Sequence, residues 1–143
     1  MYEIQFSQDV LQTLSDANKD ILLVLDRALL PNNVYEEKTF AALYSLAQQK
    51  KSVICGVNKT TALLTNTGES IVQCLSRFEK KGCWIYYPLF SSYDPKHRAV
   101  LSFVKFHPLS SHIFRFEIHS SQEENIYTAA SLLASLSNDG AFL

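Results

Sequence analysis

Ser70, Gln73, Arg77 and Lys80 follow one another at steps of three, four and three residues, the spacing that lines side chains along one face of an α-helix. Their shared chemistry is hydrogen bonding to flat, electronegative edges. A glutamine amide can pair with adenine through two bonds and a guanidinium with guanine, each pairing contributing about 1–3 kcal/mol of discrimination. Thr67 and Gly68, just upstream, are small enough to let the start of such a helix approach a duplex, where its free N–H groups can donate to a phosphate. A second basic group, Lys96-His97-Arg98, follows the turn signal Asp94-Pro95. Ser70, Gln73 and Arg77 are therefore expected at base edges. Lys59, Thr67, Lys80, Lys96, His97 and Arg98 are expected at the sugar-phosphate backbone or in the minor groove. The plainer reading is a solvated helix face beside a soluble turn, and the acidic Glu69 and Glu79 favour it.

To present these residues the chain needs a helix, a tight turn and a hairpin. Ile71, Leu75 and Phe78 supply the apolar stripe of the helix, and Gly82 stands where a helix-ending glycine would. The turn NTGES precedes it, and before that Asn58 is expected to cap a short helix, KTTALLT, with Leu63 and Leu64 inward. After it come two extended runs, Trp84 to Phe90 and Ala99 to Phe106, joined by SSYDPKHR. Further upstream, Phe40, Leu43, Tyr44 and Ala47 mark one face of a helix from Tyr35 to Gln49, and KSVICGV reads as a short strand. At the ends of the chain, MYEIQF alternates like an edge strand, Ser7 is placed to cap a short helix, and a second helix is expected from about Asp20 to Leu29. His112 to His119 predicts a strand with Phe114, Phe116 and Ile118 on one side and Arg115 and Glu117 on the other. Ser121 and Glu124 have capping-box spacing ahead of a last helix carrying Ile126, Ala130, Leu133 and Ala134.

The order helix, β piece, helix, turn, helix, strand, charged turn, strand resembles the winged helix-turn-helix superfamily. The stretch TGESIVQCLSRFEKKGCWI is the closest local likeness, and DPKHRAVLSF is similar to the wing of MarR-type regulators, without their arginine pattern. The likeness extends to winged-helix plasmid and phage replication proteins and covers Tyr35 to Phe106. It implies an α/β (α+β) winged-helix domain with a core at 35–106, an N-terminal extension at 1–34 and a C-terminal strand and helix at 107–143. It further implies sequence-specific double-stranded DNA binding by a homodimer, in transcriptional regulation or control of a mobile element. The apolar segments Asp20–Leu29 and Asn125–Leu136 are the expected dimer surfaces. Two other readings compete. One is a winged-helix module that binds a protein instead of DNA. The other follows from MYEIQFSQDVLQTLSDANKDI, which resembles the opening of RelE/ParE-type toxins and would make His107, Arg115 and His119 candidate ribonuclease residues.

Composition limits these readings. With 143 residues, 47% of them apolar and 19% charged, the chain suits one domain with a proper core. A net charge of −1 weighs against broad, non-specific nucleic-acid affinity and leaves room for a local basic patch. Cys55, Cys74 and Cys83 form no close pair and read as buried or half-buried thiols in a reducing compartment. The N-terminus lacks the pattern of a secretory leader, and ILLVL is too short to span a bilayer, so a cytoplasmic protein with no membrane partner is expected. No catalytic motif, metal-ligand spacing or phosphate-binding glycine loop is present, so no cofactor, metal or catalytic residue is expected.

Overall fold

The computed structural model describes residues 2–14, 20–59, 63–78, 81–91 and 95–137. They form a mixed α/β fold, the class expected from the sequence. Five strands make one sheet: β1 (Leu22–Leu25), β2 (Val53–Asn58), β3 (Trp84–Ser91), β4 (Ala99–Lys105) and β5 (Phe114–His119). Their order across the sheet is β1-β2-β5-β4-β3. β1 and β2 run parallel, and every other neighbouring pair is antiparallel. A parallel pair needs a crossover, here the helix α2 (Val34–Gln49). α1 (Tyr2–Leu14) packs against α2 on one face of the sheet, and α4 (Ile126–Leu136) covers the other. α3 (Ile71–Ser76) lies over β3 and β4, where Leu75 meets Phe103, Ile113 and Trp84.

Several elements differ from the expectation, each for a physical reason. The first residues form a helix rather than a strand because Ile4 and Leu11, seven apart, are both fully buried, while Phe6 of the alternating pattern faces solvent. Ser7 caps nothing; its hydroxyl donates to the Glu3 carbonyl inside α1 at 2.7 Å. Asp20 to Leu29 holds no helix. ILLVL is a short apolar run, which periodicity cannot assign, and its β-prone residues pair with β2 from Leu22↔Val53 to Leu25↔Gly56. The Asn32-Asn33 pair begins α2, with the Asn33 side chain accepting from Glu36 N at 2.9 Å. α2 then buries Phe40, Leu43 and Ala47 as expected and closes with Lys51 at φ +53°, where Ser52 N–H donates to Ala47 O at 2.8 Å.

Downstream, Asn58 ends β2, and what is described of the next segment is extended: Leu64 bridges to Ser70. α3 is shorter than its pattern suggested, and Phe78, expected in its buried stripe, is 60% exposed. A 3-10 turn, Ser120–Asn125, replaces the capping box, with His119 Nδ1 accepting from Ser121 N at 3.3 Å. Of the cysteines, Cys55 is buried, Cys74 half-buried and Cys83 exposed, the last donating through Sγ to Phe106 O at 3.0 Å. No helix among the described residues is long and apolar enough to cross a membrane.

The loop between β1 and α2 folds down onto β2 at Gly56. A Cβ there would stand 2.4 Å from the Arg27 carbonyl oxygen and 3.2 Å from Leu29. A backbone oxygen cannot rotate away as a side chain does. Gly56→Ala is therefore expected to lower unfolding free energy by about 1–3 kcal/mol, read as a lower urea midpoint; an unchanged midpoint would show that the loop has room to move.

Candidate nucleic-acid interface

The residues expected to meet DNA fall on two separate surfaces. The first begins as a tight hairpin. Thr65 N–H donates to Glu69 O at 2.7 Å, Gly68 N–H to Thr65 O at 3.0 Å, and Ile71 N–H to Leu63 O at 3.2 Å. Gly68 has φ +84°, a conformation that a side chain at this turn would strain. The hydroxyls of Thr65 and Thr67 lie 2.9 Å apart, and Thr65 Oγ1 also accepts from Glu69 N. The hairpin delivers Ser70 to the start of α3, where its side chain accepts from Gln73 N. Thr67, Gln73 and Arg77 are exposed, and Ser70 half so. Leu75 anchors the opposite side of α3 on Phe103. Arg77 is 71% exposed and pairs with Glu69 across the hairpin, an exposed contact of little energetic weight.

This surface occupies the end of the sheet where the parallel strands finish. Asn58 pairs with Arg115 near the start of β5, and Trp84 pairs with Lys105 at the end of β4. Lys59, exposed, follows Asn58 directly, and Lys81 is exposed between α3 and β3. Lys80 and Glu79 lie outside the described residues, as do Thr60 to Ala62 of the expected preceding helix.

The second surface is at the other end of β4. Lys96 and Arg98 are exposed just before Ala99, the residue paired with His119 at the end of β5. Seven residues of strand, about 20 Å at strand rise, separate Arg98 from the Lys105 end. His97 is a correction. It was expected on an exposed basic tip, but it is buried and paired through Nε2 with Glu117. Glu117 stands on the central strand at 1% exposure. Its carboxylate also accepts from Leu29 N–H at 2.7 Å and from Arg115 Nη2 at 3.0 Å. Burial alone would raise its pKa; His97, Arg115 and the Leu29 amide together outweigh that and hold it below the ordinary range. The alternation in FRFEIH signals two faces but not that both are covered, so nothing in the pattern marks Glu117 as interior.

A second buried anion lies nearby. Glu36 receives two bonds from Arg27, at 3.3 and 3.0 Å, and one from Asn32 N–H at 2.8 Å. Arg27 also donates to the carbonyls of Ala28 and Leu30 and lies 5.3 Å from the centre of the Phe40 ring. The hydrogen bond from Arg27, then that from Asn32, hold the Glu36 pKa at about 2.

The alternative catalytic residues do not converge. Arg115 and His119 share a face of β5 but are four residues apart, about 13 Å, with Glu117 between them. His107 lies beyond the other end of β4, where its Nδ1 accepts from Leu109 N at 3.1 Å. Among the described residues no three His, Cys, Asp or Glu side chains gather as a metal site. Comparison with protein-family models, with curated proteins and with solved structures returns no match.

The two buried anions make separate predictions. Glu117→Gln leaves His97 and Arg115 facing a neutral amide, and a loss of roughly 3–5 kcal/mol is expected in urea unfolding at neutral pH. Glu36 has its folded pKa depressed, from 4.5 to about 2. Its contribution to stability is therefore present above 4.5 and lost as pH falls toward about 2. In Glu36→Gln that part of the acid decline in urea midpoint should disappear; a decline identical to the parent's would show that Glu36 is not its source.

Proposed function

We propose that this protein binds double-stranded DNA in a sequence-dependent manner, through the 63–70 hairpin, α3 and the lysines around them. One observation supports this above others. Thr67, Ser70, Gln73 and Arg77 stand accessible on one hairpin–helix unit, at the end of the sheet that also carries Lys59 and Lys81. Open α/β sheets commonly take their ligands at the carboxyl ends of parallel strands. Gln73 and Arg77 are suited to base edges, and Lys59, Lys81 and Thr67 to phosphates.

In a winged helix the recognition helix enters the major groove with the hairpin wing beside it. Here α3 has six residues, under two turns, and Lys96 and Arg98 lie at the far end of β4. The DNA reading therefore rests on the hairpin and α3, with the Lys96–Arg98 surface outside it and His97 in the interior. A second reading, a protein contact at the same end, draws on Phe78 and Tyr86. Both are exposed beside a hollow of about 130 Å³ that they line with Leu75, Trp84 and Ile85. A second copy of the chain meeting there would supply the homodimer that paired half-sites call for.

Fluorescence anisotropy of the full chain on mixed genomic duplexes, across a salt series, tests the proposal. Affinity should fall steeply with salt, while a selected sequence stays bound above the pool. Lys59→Ala should reduce the salt slope by about 0.9, the loss of one phosphate contact. Arg77→Ala and Gln73→Ala should cost about 1–3 kcal/mol on the selected sequence, and the Lys96→Ala/Arg98→Ala pair should change neither quantity. Absence of binding at low salt removes the DNA reading and leaves the protein contact.

A further inference from the structure

Glu69 is an acid on a surface proposed to meet a polyanion, and the hairpin holds it there. Its N–H donates to Thr65 Oγ1 at 3.1 Å, and its carbonyl accepts from Thr65 N–H at 2.7 Å. The next residue, Ser70, bridges to Leu64 across the hairpin. Arg77 reaches Glu69 from the far end of α3, Nη1 meeting Oε1. Its backbone is fixed in turn, through N–H donating to Cys74 O at 3.3 Å and through Leu75, which anchors the helix on Phe103. Two groups eight residues apart are thus brought into contact, with 71% of the Arg77 side chain and 28% of the Glu69 side chain exposed.

Opposite charges in contact cancel at a distance, so the pair adds little to the attraction of a phosphate backbone. What it keeps is a hydrogen-bonding pattern. A guanidinium only donates, through five N–H groups in a fixed fork, and a carboxylate only accepts, through two oxygens. An exposed pair of this kind contributes little to stability, so both groups can turn to a ligand at small cost. In the major groove a G·C pair presents two acceptors, guanine N7 and O6, followed by the cytosine amino donor. An A·T pair presents an acceptor, the adenine amino donor, then thymine O4. Two donors beside an acceptor match the first order. Against the second, guanidinium would face an amino group and carboxylate an oxygen.

We infer that Glu69 and Arg77 act as one unit that reads a G·C pair in the major groove, Arg77 on guanine N7 and O6 and Glu69 on the cytosine amino group. The inference rests on the DNA reading above and names a base pair that its site contains. It also gives Glu69 a part in specificity. An arginine alone takes a phosphate as readily as a guanine; the acid beside it makes phosphate the poorer partner and a cytosine amino group the better one.

Selection of duplexes from a random pool by the full chain, followed by anisotropy on the selected site with one base pair changed at a time, tests this. Replacing one particular G·C pair by A·T should weaken binding by at least about fivefold. Inosine for its guanine keeps N7 and O6 and removes only a minor-groove amino group, so affinity should be retained. 7-Deazaguanine, which lacks N7, should lose affinity, and so should pyrimidin-2-one for the cytosine, which lacks the amino group. In Arg77→Ala the 7-deazaguanine penalty should vanish, and in Glu69→Ala the pyrimidin-2-one penalty, while penalties at other base pairs persist. Far-ultraviolet dichroism of both variants should match the parent's, and the base analogues probe the parent chain even if a variant fails to fold. Duplex binding without such a G·C pair would overturn the inference and leave the DNA reading standing. So would variants that weaken every sequence equally with both analogue penalties intact, because the contact would then be to phosphate. No duplex binding at low salt would remove the DNA reading and this inference with it.

Discussion

The carboxylate of Glu117 is the contact on which the remaining architecture depends. It stands on β5, the middle strand, and draws together parts of the chain that are far apart in sequence: Leu29 from the loop before α2, His97 from the loop before β4, and Arg115 from its own strand. A buried carboxylate is tolerated only where partners compensate its lost hydration, so these contacts and the burial of Glu117 require one another. Without Leu29 and His97 in place the interior carboxylate would keep Arg115 alone of these three partners. The arrangement favours one disposition of the two loops over any looser alternative, a selectivity that apolar packing, which is indifferent to direction, does not supply.

Arg27 and Glu36 repeat the principle at smaller scale. The guanidinium reaches Glu36 with two bonds while closing the carbonyls of Ala28 and Leu30, and Asn32 N–H completes the carboxylate. A loop that would otherwise leave carbonyls without donors is thereby satisfied from within. Gly56 permits the loop to descend onto β2. Two surfaces result, one at each end of β4, the first held by its own hairpin bonds and by Leu75 beneath it, the second by His97 and Glu117 beneath it.

How much of this could be read in the residues varied with the kind of signal. α2 and α4 were legible because their apolar residues recur at helical spacing, β2 and β4 as short β-prone runs, β4 with a turn signal before it, and the hairpin turn because Gly68 has few alternatives. Tyr2 to Phe6 misled because five residues can satisfy a period of two by chance, and the longer interval from Ile4 to Leu11 was the true repeat. ILLVL carried no period at all. The candidate surface was legible in part: the exposed face of α3 follows from helical spacing, but the depth of His97 does not, since three adjacent basic residues look alike until a buried acid is known to await one of them. That acid is nearly ninety positions from Leu29 and twenty from His97, and no local pattern announces a partnership of such range.

The position of β5 has a consequence for how the molecule assembles. Among the described residues it is the last strand in sequence, and it joins β2 to β4. Until it is in place, β1 and β2 with their crossover helix have no bonded connection to the hairpin of β3 and β4. Emerging from a ribosome, the chain would hold two half-sheets with open edges until β5 is available, and the closing step must bring distant segments together. The inward-facing charge of Glu117 then acts as an address. It discourages β5 from settling against any apolar edge other than the one where His97 and the Leu29 amide are waiting.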